Sequence, residues 1–524
     1  MNIRERTAST AVVSLVVATV VLGMLVASAI SAEEVSAEKI AALIEQLGDS
    51  DFVVRERAQE ELAELGERAY DALTLAVYND DLEIVARARH LLLTIKLPAV
   101  RETDSERVKE LLEDYESLPR TEQLRRVRLL VGLPEGEGYR AACRLVHIEN
   151  SIAMSKSIAA TLLNRWPVHV DGRARMREAV EAELSRSGRE VARWLTTHAK
   201  LVDDPEENID AWRELVNEEE ALLRQRSPRT GERIVATLLY DLAYWESECS
   251  EAENGGQEQF ERAQGLTLSR SEASVYLYLD TATFFRNGGK IDWAAAVYGQ
   301  VSKMGIPQAI PLAQLGLAEM FHDMGRNQEA VAALEVIAKL LEAKRLHSVE
   351  YTSIEQVRGR QHFFLACQAK ARGNMEKHRS ELLKAIDSDP NELDALIALY
   401  GISDLDEETR SRTVAMIEAA AEQLRQEAAA MPEDASAHNQ FAWLVGNTTG
   451  DMKEALDHAL QAVELSSESG AYLDTLAHVY FYGLKEYDKA VETQAKAVKF
   501  MPHSGLIVQK YELFRKAAVE KKPE

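Results

Sequence analysis

The sequence predicts an all-α fold, a solenoid of stacked helical repeats, and three observations carry that prediction. Turn formers are scarce: 26 Gly and 12 Pro in 524 residues make about 7% of the chain against an average near 12%, which favours long helices over many short strands. Apolar residues at 46% and charged residues at 28% are the proportions of a chain that buries a sizeable core. The apolar pattern also returns at intervals of 30 to 36 residues, the period of a two-helix unit that cannot bury its apolar face alone and must stack on its neighbours.

Net charge narrows the partners. With 61 basic and 86 acidic residues the chain carries -25, the wrong sign for neutralising phosphates or docking on anionic lipid, so nucleic acid is not expected as a partner.

In chain order, Arg4 and Arg6 precede 26 uncharged residues, Thr7 to Ala32, most apolar from Ala11 to Ala27. A basic stretch followed by an apolar one is the pattern of a secretory signal. Ala27-Ser28-Ala29 fits its small-x-small cleavage site, with Ile30-Ser31-Ala32 as a second option. Residues 1–32 are therefore expected to direct export. The alternative is an uncleaved signal anchor, because an apolar stretch approaching about 20 residues can span a bilayer. Either way the body is expected outside the cytoplasm, in the periplasm or at the cell surface, with residues 7–32 as a membrane tether if they are retained.

Residues 33–100 form the next segment. Asp51-Phe52-Val53-Val54-Arg55-Glu56-Arg57-Ala58 is followed 30 residues later by Asp81-Leu82-Glu83-Ile84-Val85-Ala86-Arg87-Ala88. Each Asp is placed to cap a helix N-terminus. The pair resembles HEAT repeats, whose D-x-x-V-R-x-x-A pattern turns the aliphatic residue and Ala inward; the second copy departs from it at Val85. Residues 101–270 alternate amphipathic helices with breaks at Pro134, Pro167, Pro205 and Pro228, without a surviving period.

The strongest self-similarity lies further on. Phe441, Ala442, Val445, Ala455, Ala459, Ala462 and Leu465 recur 35 residues later as Leu476, Ala477, Tyr480, Ala490, Gln494, Ala497 and Phe500, closed by Pro502. This resembles the tetratricopeptide repeat, in which small residues occupy positions 8, 20 and 27, where the two helices of a unit come closest. Upstream, Ala366, Ala369, Gly373, Leu382, Ala385 and Pro390 fit the same template, with His378 in place of a small residue; so do Ala318, Phe321, Gly325, Ala330 and Leu334, and Ala282, Phe285, Gly289, Ala294 and Tyr298. Residues 271–503 thus divide into units 275–308, 311–344, 359–392, a degenerate 393–433, 435–468 and 470–503. A lengthened helix or inserted loop is expected between Lys339 and Gln356. Residues 504–524 read as a capping helix with Ile507, Tyr511 and Phe514 on one face and Lys510, Arg515, Lys521 and Lys522 away from it.

Short motifs for catalysis are missing: the sequence contains no HExxH, GxSxG, CxxC, GxxxxGK[ST] or strand-borne GxGxxG, which leaves no catalytic, metal or cofactor site to assign. His438, His458 and His478 are spaced by 20 within a 35-residue period, so they fall at different template positions. Cys143, Cys249 and Cys367 read as small buried hydrophobes, and at most one disulfide is possible. The acidic run from Asp203 to Glu220 reads as a solvated face, and Trp166, Trp194, Trp212, Trp245 and Trp293 as core. Glu251 and Glu253 beside Gly255-Gly256 only faintly suggest a calcium loop.

The resemblance implies a concave groove lined by positions 2, 5, 9, 12 and 13 of each first helix. Carried over, these include Arg286, Glu319, His322, Asp323, Arg360, Phe363 and Lys370, then Asn439, Trp443 and Asn447, then Asp474, His478, Phe481 and Tyr482. Aromatic anchors beside Asn and Asp are the composition of a peptide-binding surface. A second expectation is that the last aromatics simply pack on the capping helix. The Lys and Asn set that clamps a C-terminal carboxylate in chaperone-binding family members is missing. The functional expectation is a non-catalytic exported scaffold that binds protein or peptide partners in this groove; the alternative is an enzyme or enzyme-complex subunit with its site in residues 101–270.

Overall fold

Among the described residues of the computed structural model, 37–520 apart from 96, 168, 186, 251, 253, 267–270 and 344–352, every regular element is helical and none is a strand. The export segment 1–32, Glu251, Glu253, most of the stretch between Lys339 and Gln356, and Lys521 and Lys522 lie outside the described residues. No described helix is long and apolar enough to cross a membrane. The chain divides into two compact units at Leu97 and Pro98.

The first unit holds α1 (Ala37–Gln46), α2 (Phe52–Leu65), α3 (Glu67–Ala76) and α4 (Leu82–Thr94) around its own apolar cluster. Asp51 and Asp81 cap α2 and α4, each carboxylate accepting from the backbone N–H two residues on, at 2.9 and 2.8 Å. Ala58 and Ala88 are fully buried. Arg55 reaches back to the carbonyls of Asp49 and Ser50 at 2.5 and 3.1 Å, closing the turn before its own helix.

The second unit begins with α5 (Glu106–Leu112), α6 (Arg120–Val131), α7 (Tyr139–Ile148), α8 (Ile152–Asn164), α9 (Val170–Leu184), α10 (Glu190–Asp203) and α11 (Pro205–Arg224). Helix α8 is covered all round, every residue from Met154 to Asn164 being buried. It nevertheless carries Lys156, whose Nζ donates to Glu219 Oε2 at 2.6 Å and Glu190 Oε1 at 3.2 Å and lies 5.1 Å from the Trp194 ring centre. Glu219 is the exception to the solvated face expected of residues 203–220: it is wholly buried because Lys156 must be neutralised where water cannot reach it. Of the tryptophans, 166, 194, 212 and 245 are buried, while Trp293 is partly buried and stacked on Phe260. All three cysteines are free thiols; Cys143 is buried, and Cys249 and Cys367 partly so.

From there the helices pair. Helix α12 (Glu232–Cys249) packs on α13 (Gln257–Gly265), α14 (Glu272–Asn287) on α15 (Ile291–Lys303), α16 (Ile310–Asp323) on α17 (Asn327–Glu342), and α18 (Ile354–Ala371) on α19 (Met375–Ser388). The short α20 (Leu393–Tyr400) and the 24-residue α21 (Glu407–Ala430) form the degenerate unit, followed by α22 (Ala435–Asn447) with α23 (Met452–Leu465). Helix α24 (Gly470–His478), extended by a π-helical turn from Val479 to Leu484, pairs with α25 (Tyr487–Phe500), and α26 (Gly505–Glu520) caps the stack.

The pairing rests on small residues. Ala282, Ala294, Ala318, Ala330, Ala366, Ala442, Ala455, Ala477 and Ala490 are all fully buried. Where His378 replaces a small residue, its ring is buried and Nδ1 donates to the Ala366 carbonyl at 2.9 Å, so the bulk is accepted with its polar atom satisfied. Gly289, Gly325 and Gly373 take φ of +76°, +72° and +72° just beyond a first helix, the left-handed turn that costs glycine least.

The α12/α13 pair was not read from the sequence as a repeat. Trp293 Nε1 donates to Gln257 Oε1 at 3.1 Å and Gln300 Nε2 to Gln264 Oε1 at 2.7 Å, both across 36 residues. Helix α13 therefore stands beside α15 one repeat upstream, although Glu258 occupies the place 36 residues before Ala294.

The stack also meets its own beginning. Glu468 accepts from His169 Nε2 at 2.9 Å and from Arg175, Lys499 Nζ donates to Asp171 Oδ2 at 2.7 Å, and the His169 and Phe500 rings meet edge to face at 4.8 Å.

Two substitutions test these contacts. Ala455→Leu or Ala490→Leu should overpack a helix pair and lower stability by about 1 to 3 kcal/mol in a denaturant melt, and unchanged melts for both would refute the pairing register. Lys156→Met should cost about 3 to 5 kcal/mol by stranding Glu219, and adding Glu219→Leu should restore most of the loss.

Candidate functional site

The first helices of successive units lie side by side, and their side chains are joined from unit to unit. The joint at the centre is Arg360 on α18. Its guanidinium donates to Glu319 of α16 through two bonds of 3.1 Å, to Glu392 at 2.8 Å and to Asp394 of α20 at 2.6 Å. It also lies 5.2 and 5.0 Å from the ring centres of Phe363 and Phe364. The second oxygen of Asp394 accepts from Trp443 Nε1 of α22 at 2.8 Å. Further along, Asn447 Oδ1 accepts from His478 Nδ1 of α24 at 2.8 Å, and the Trp443 and His478 rings are 4.8 Å apart.

One cation faces three carboxylates here, so the middle of the face is left negative. Burial pushes Glu392 up to about 7 against the pull of Arg360. Asp394 is partly buried, but Arg360 and the bonds from Arg360 and Trp443 outweigh desolvation and hold it below the usual carboxylate range. Burial, reinforced by Glu319, raises Asp323 at the end of α16. Burial likewise raises Asp474 to about 6. Three carboxylates on one face thus resist ionisation, and each would be relieved by an added cation.

The expected groove residues divide into two sets. Arg286, His322, Asn439, Trp443, Asn447, Asp474 and Tyr482 are partly exposed and Lys370 is exposed. Phe363, His478 and Phe481 are buried, which corrects the expectation that they project into an open groove. Phe481 stacks on Phe514 of the capping helix at 4.1 Å, and His478 and Tyr482 pack against the same ring. The chain's own end covers more of the face: Lys510 Nζ lies 5.6 Å from the Tyr482 ring centre, Gln494 bridges Asp474 and the Ile507 carbonyl, and the Gly505 backbone sits against the Asp323 carbonyl. His503, pushed down to about 4 by burial and then by Arg286, belongs to this plug. Apart from Asp323, against which Gly505 of α26 sits, the stretch from Glu319 to Asn447 takes no part in these contacts with α26.

Sequence reasoning missed Glu392 and Asp394. Asp394 is 34 residues after Arg360, the same template position in the next unit, so extending the template through the degenerate unit would have found it. It also missed a pairing of His438 and His458, whose Nδ1 atoms are 2.8 Å apart. His438 Nε2 is 3.1 Å from the Pro432 carbonyl, which can only accept, so Nε2 is the donor there. Burial, and then His438, hold His458 below its ordinary pKa. No group of three or more His, Cys, Asp or Glu suited to a metal ion occurs among the described residues.

In residues 101–270 a further dyad besides Lys156 and Glu219 is His198 with Asp241 Oδ1 at 3.1 Å, and both are sealed in the core. The His198 ring is boxed by Trp166, Trp212 and Trp245 at 4.5, 5.3 and 6.1 Å.

No protein family matches the chain, and no curated protein matches it. Among solved structures it is similar to the APC/C hetero-tetramer Cut9-Hcn1, at 16% identity over 79% of this chain and 93% of that one, with a TM-score of 0.19. It is similar also to Naa15/Naa10 bound to HypK-THB, at 14% identity over 94% and 83%, TM-score 0.24, and to yeast Tom70, at 12% identity over 79% and 90%, TM-score 0.26. The chain is an all-α helical-repeat solenoid. That statement stands on its helix pairs.

The raised carboxylates give a pH dependence of definite sign. The folded pKa values of Glu392, about 7, and Asp474, about 6, lie above the ordinary 4.5 and 3.8. Their contribution to stability is complete below the ordinary values and is lost as pH rises through about 6 to 7. Glu392→Gln should flatten the fall in denaturation midpoint between about pH 5 and 8; an unaltered slope would refute the assignment.

Proposed function

We propose that the chain is a non-catalytic protein-interaction scaffold, a tetratricopeptide-like array preceded by HEAT-like helix pairs, that binds an extended partner segment along the face from Glu319 to Asn447. The observation that carries this reading is the row of desolvated carboxylates joined through Arg360. A scaffold face with Asp323 and Glu392 held above their ordinary pKa values favours a partner that brings Lys or Arg side chains. Trp443, fixed by Asp394, supplies an aromatic edge, and Asn439 and Lys370 supply polar groups at the rim.

The proposal places this scaffold outside the cytoplasm. Its support is the basic and apolar character of residues 4–32, which would deliver the body across a membrane as a secreted chain or hold it there as a tether.

The test is binding of peptide pools that differ only in carrying Lys and Arg or Asp and Glu, followed by fluorescence anisotropy. Basic pools should bind, and Glu319→Gln with Trp443→Ala should weaken that binding by about tenfold or more while helicity by circular dichroism is kept. Equal binding of acidic pools, or full binding by the double variant, would overturn the reading.

A further inference from the structure

A second polar surface lies in the earlier part of the second unit, away from the Arg360 row. Helices α6, α8, α12 and α14 line a cleft that opens to solvent, bordered among others by Arg128, Ser157, Asn164, Arg233 and Asp280. Its charge is unlike that of the rest of this acidic chain. Arg128 Nε donates to Asp280 Oδ2 at 3.0 Å and Arg165 Nη2 to Asp280 Oδ1 at 2.8 Å, so both oxygens of the single carboxylate are already engaged. Arg128 is further fixed over the Tyr276 ring at 4.5 Å, with its side chain 13% exposed.

Among the described residues Arg233 has no carboxylate partner. Its contact is a long one, 3.4 Å to Ser157 Oγ, and that hydroxyl is itself committed to the Ala153 carbonyl at 2.8 Å. Burial, and then the neighbouring Arg128, lower its pKa. The cleft also contains Asn164, 8% exposed, whose side-chain amide makes no hydrogen bond to a described residue.

We infer that this cleft is a binding site for one small oxyanion group, a phosphate or a carboxylate, held by Arg233 and Arg128 with Asn164 as a neutral donor. Three guanidiniums against one carboxylate leave two positive charges for such a group. The forked N–H geometry of Arg suits paired oxygens of either kind. Asp280 then acts as the positioning residue, holding Arg128 and Arg165 so that their remaining N–H groups are fixed before the anion arrives. The site is independent of the partner-binding face, and either can fail without the other.

The experiment is titration of the full chain at constant ionic strength with inorganic phosphate in one arm and acetate in the other, read by calorimetry and by thermal midpoint. Saturable binding of either anion with a rise in midpoint is expected, and the arm that responds identifies the chemistry. Arg233→Gln should melt no lower than the parent without anion, because it removes a like-charge contact, and should lose at least tenfold in affinity. Asn164→Ala should bind several-fold more weakly, and it serves as the deciding variant if Arg233→Gln does not fold. Absence of saturable binding in both arms, or undiminished affinity in a folded Arg233→Gln or in Asn164→Ala, would overturn the inference.

Discussion

Two helices of one unit can close to packing distance only where neither presents more than a methyl group, and in this chain alanine supplies that condition at nearly every crossing. Once the crossing is set, the unit's length and the path to the next unit follow, and equivalent positions become neighbours in space. Gln264 reaches Gln300 and Arg360 reaches Asp394. The face of the first helices is thus a product of the alanine crossings: a spacing near 34 residues in sequence becomes one side-chain hydrogen bond in three dimensions.

That constraint was legible because it is local. A volume limit at one position leaves an Ala in the sequence whatever the rest of the chain does, and the buried alanines lie where the template put them. The limit is weaker where the pair can find another arrangement. His378 fits because a carbonyl stands ready for its ring N–H, and α13 joins the array with Glu258 where a small residue would be looked for. Packing of the last aromatics on the capping helix was one of two readings the sequence allowed, and the sequence alone did not decide between them. Whether the capping helix reaches Asp323 and Asp474 depends on small rotations accumulated over several units, which no single residue records. The burial of His478 and Phe481 follows from it.

Buried charge takes two forms in this molecule. Lys156 and Glu219 are matched and sealed, and nothing further is asked of either. Around Arg360 the match is deliberately uneven, three acids to one base, and around Asp280 the imbalance has the opposite sign. Sequence charge alone, at -25, conveys the first imbalance and conceals the second. The arginines concerned are scattered from position 128 to 233 and meet only because α8 is the common neighbour of α6, α12 and α14.

The contacts between Glu468 and the start of α9 join residues 299 and 293 apart in the chain. A linear stack of repeats exchanges stability only between adjacent units, so its ends fray and its middle persists. Here the last two full units are tied to an early helix through Glu468, Lys499 and Phe500, and fraying at one end must release contacts at the other. Folding can still start at any helix pair, but these contacts form only when the whole array is in place. The second unit should accordingly lose its structure in one cooperative transition, as a closed circle does when cut, in place of the stepwise unzipping open to a simple row.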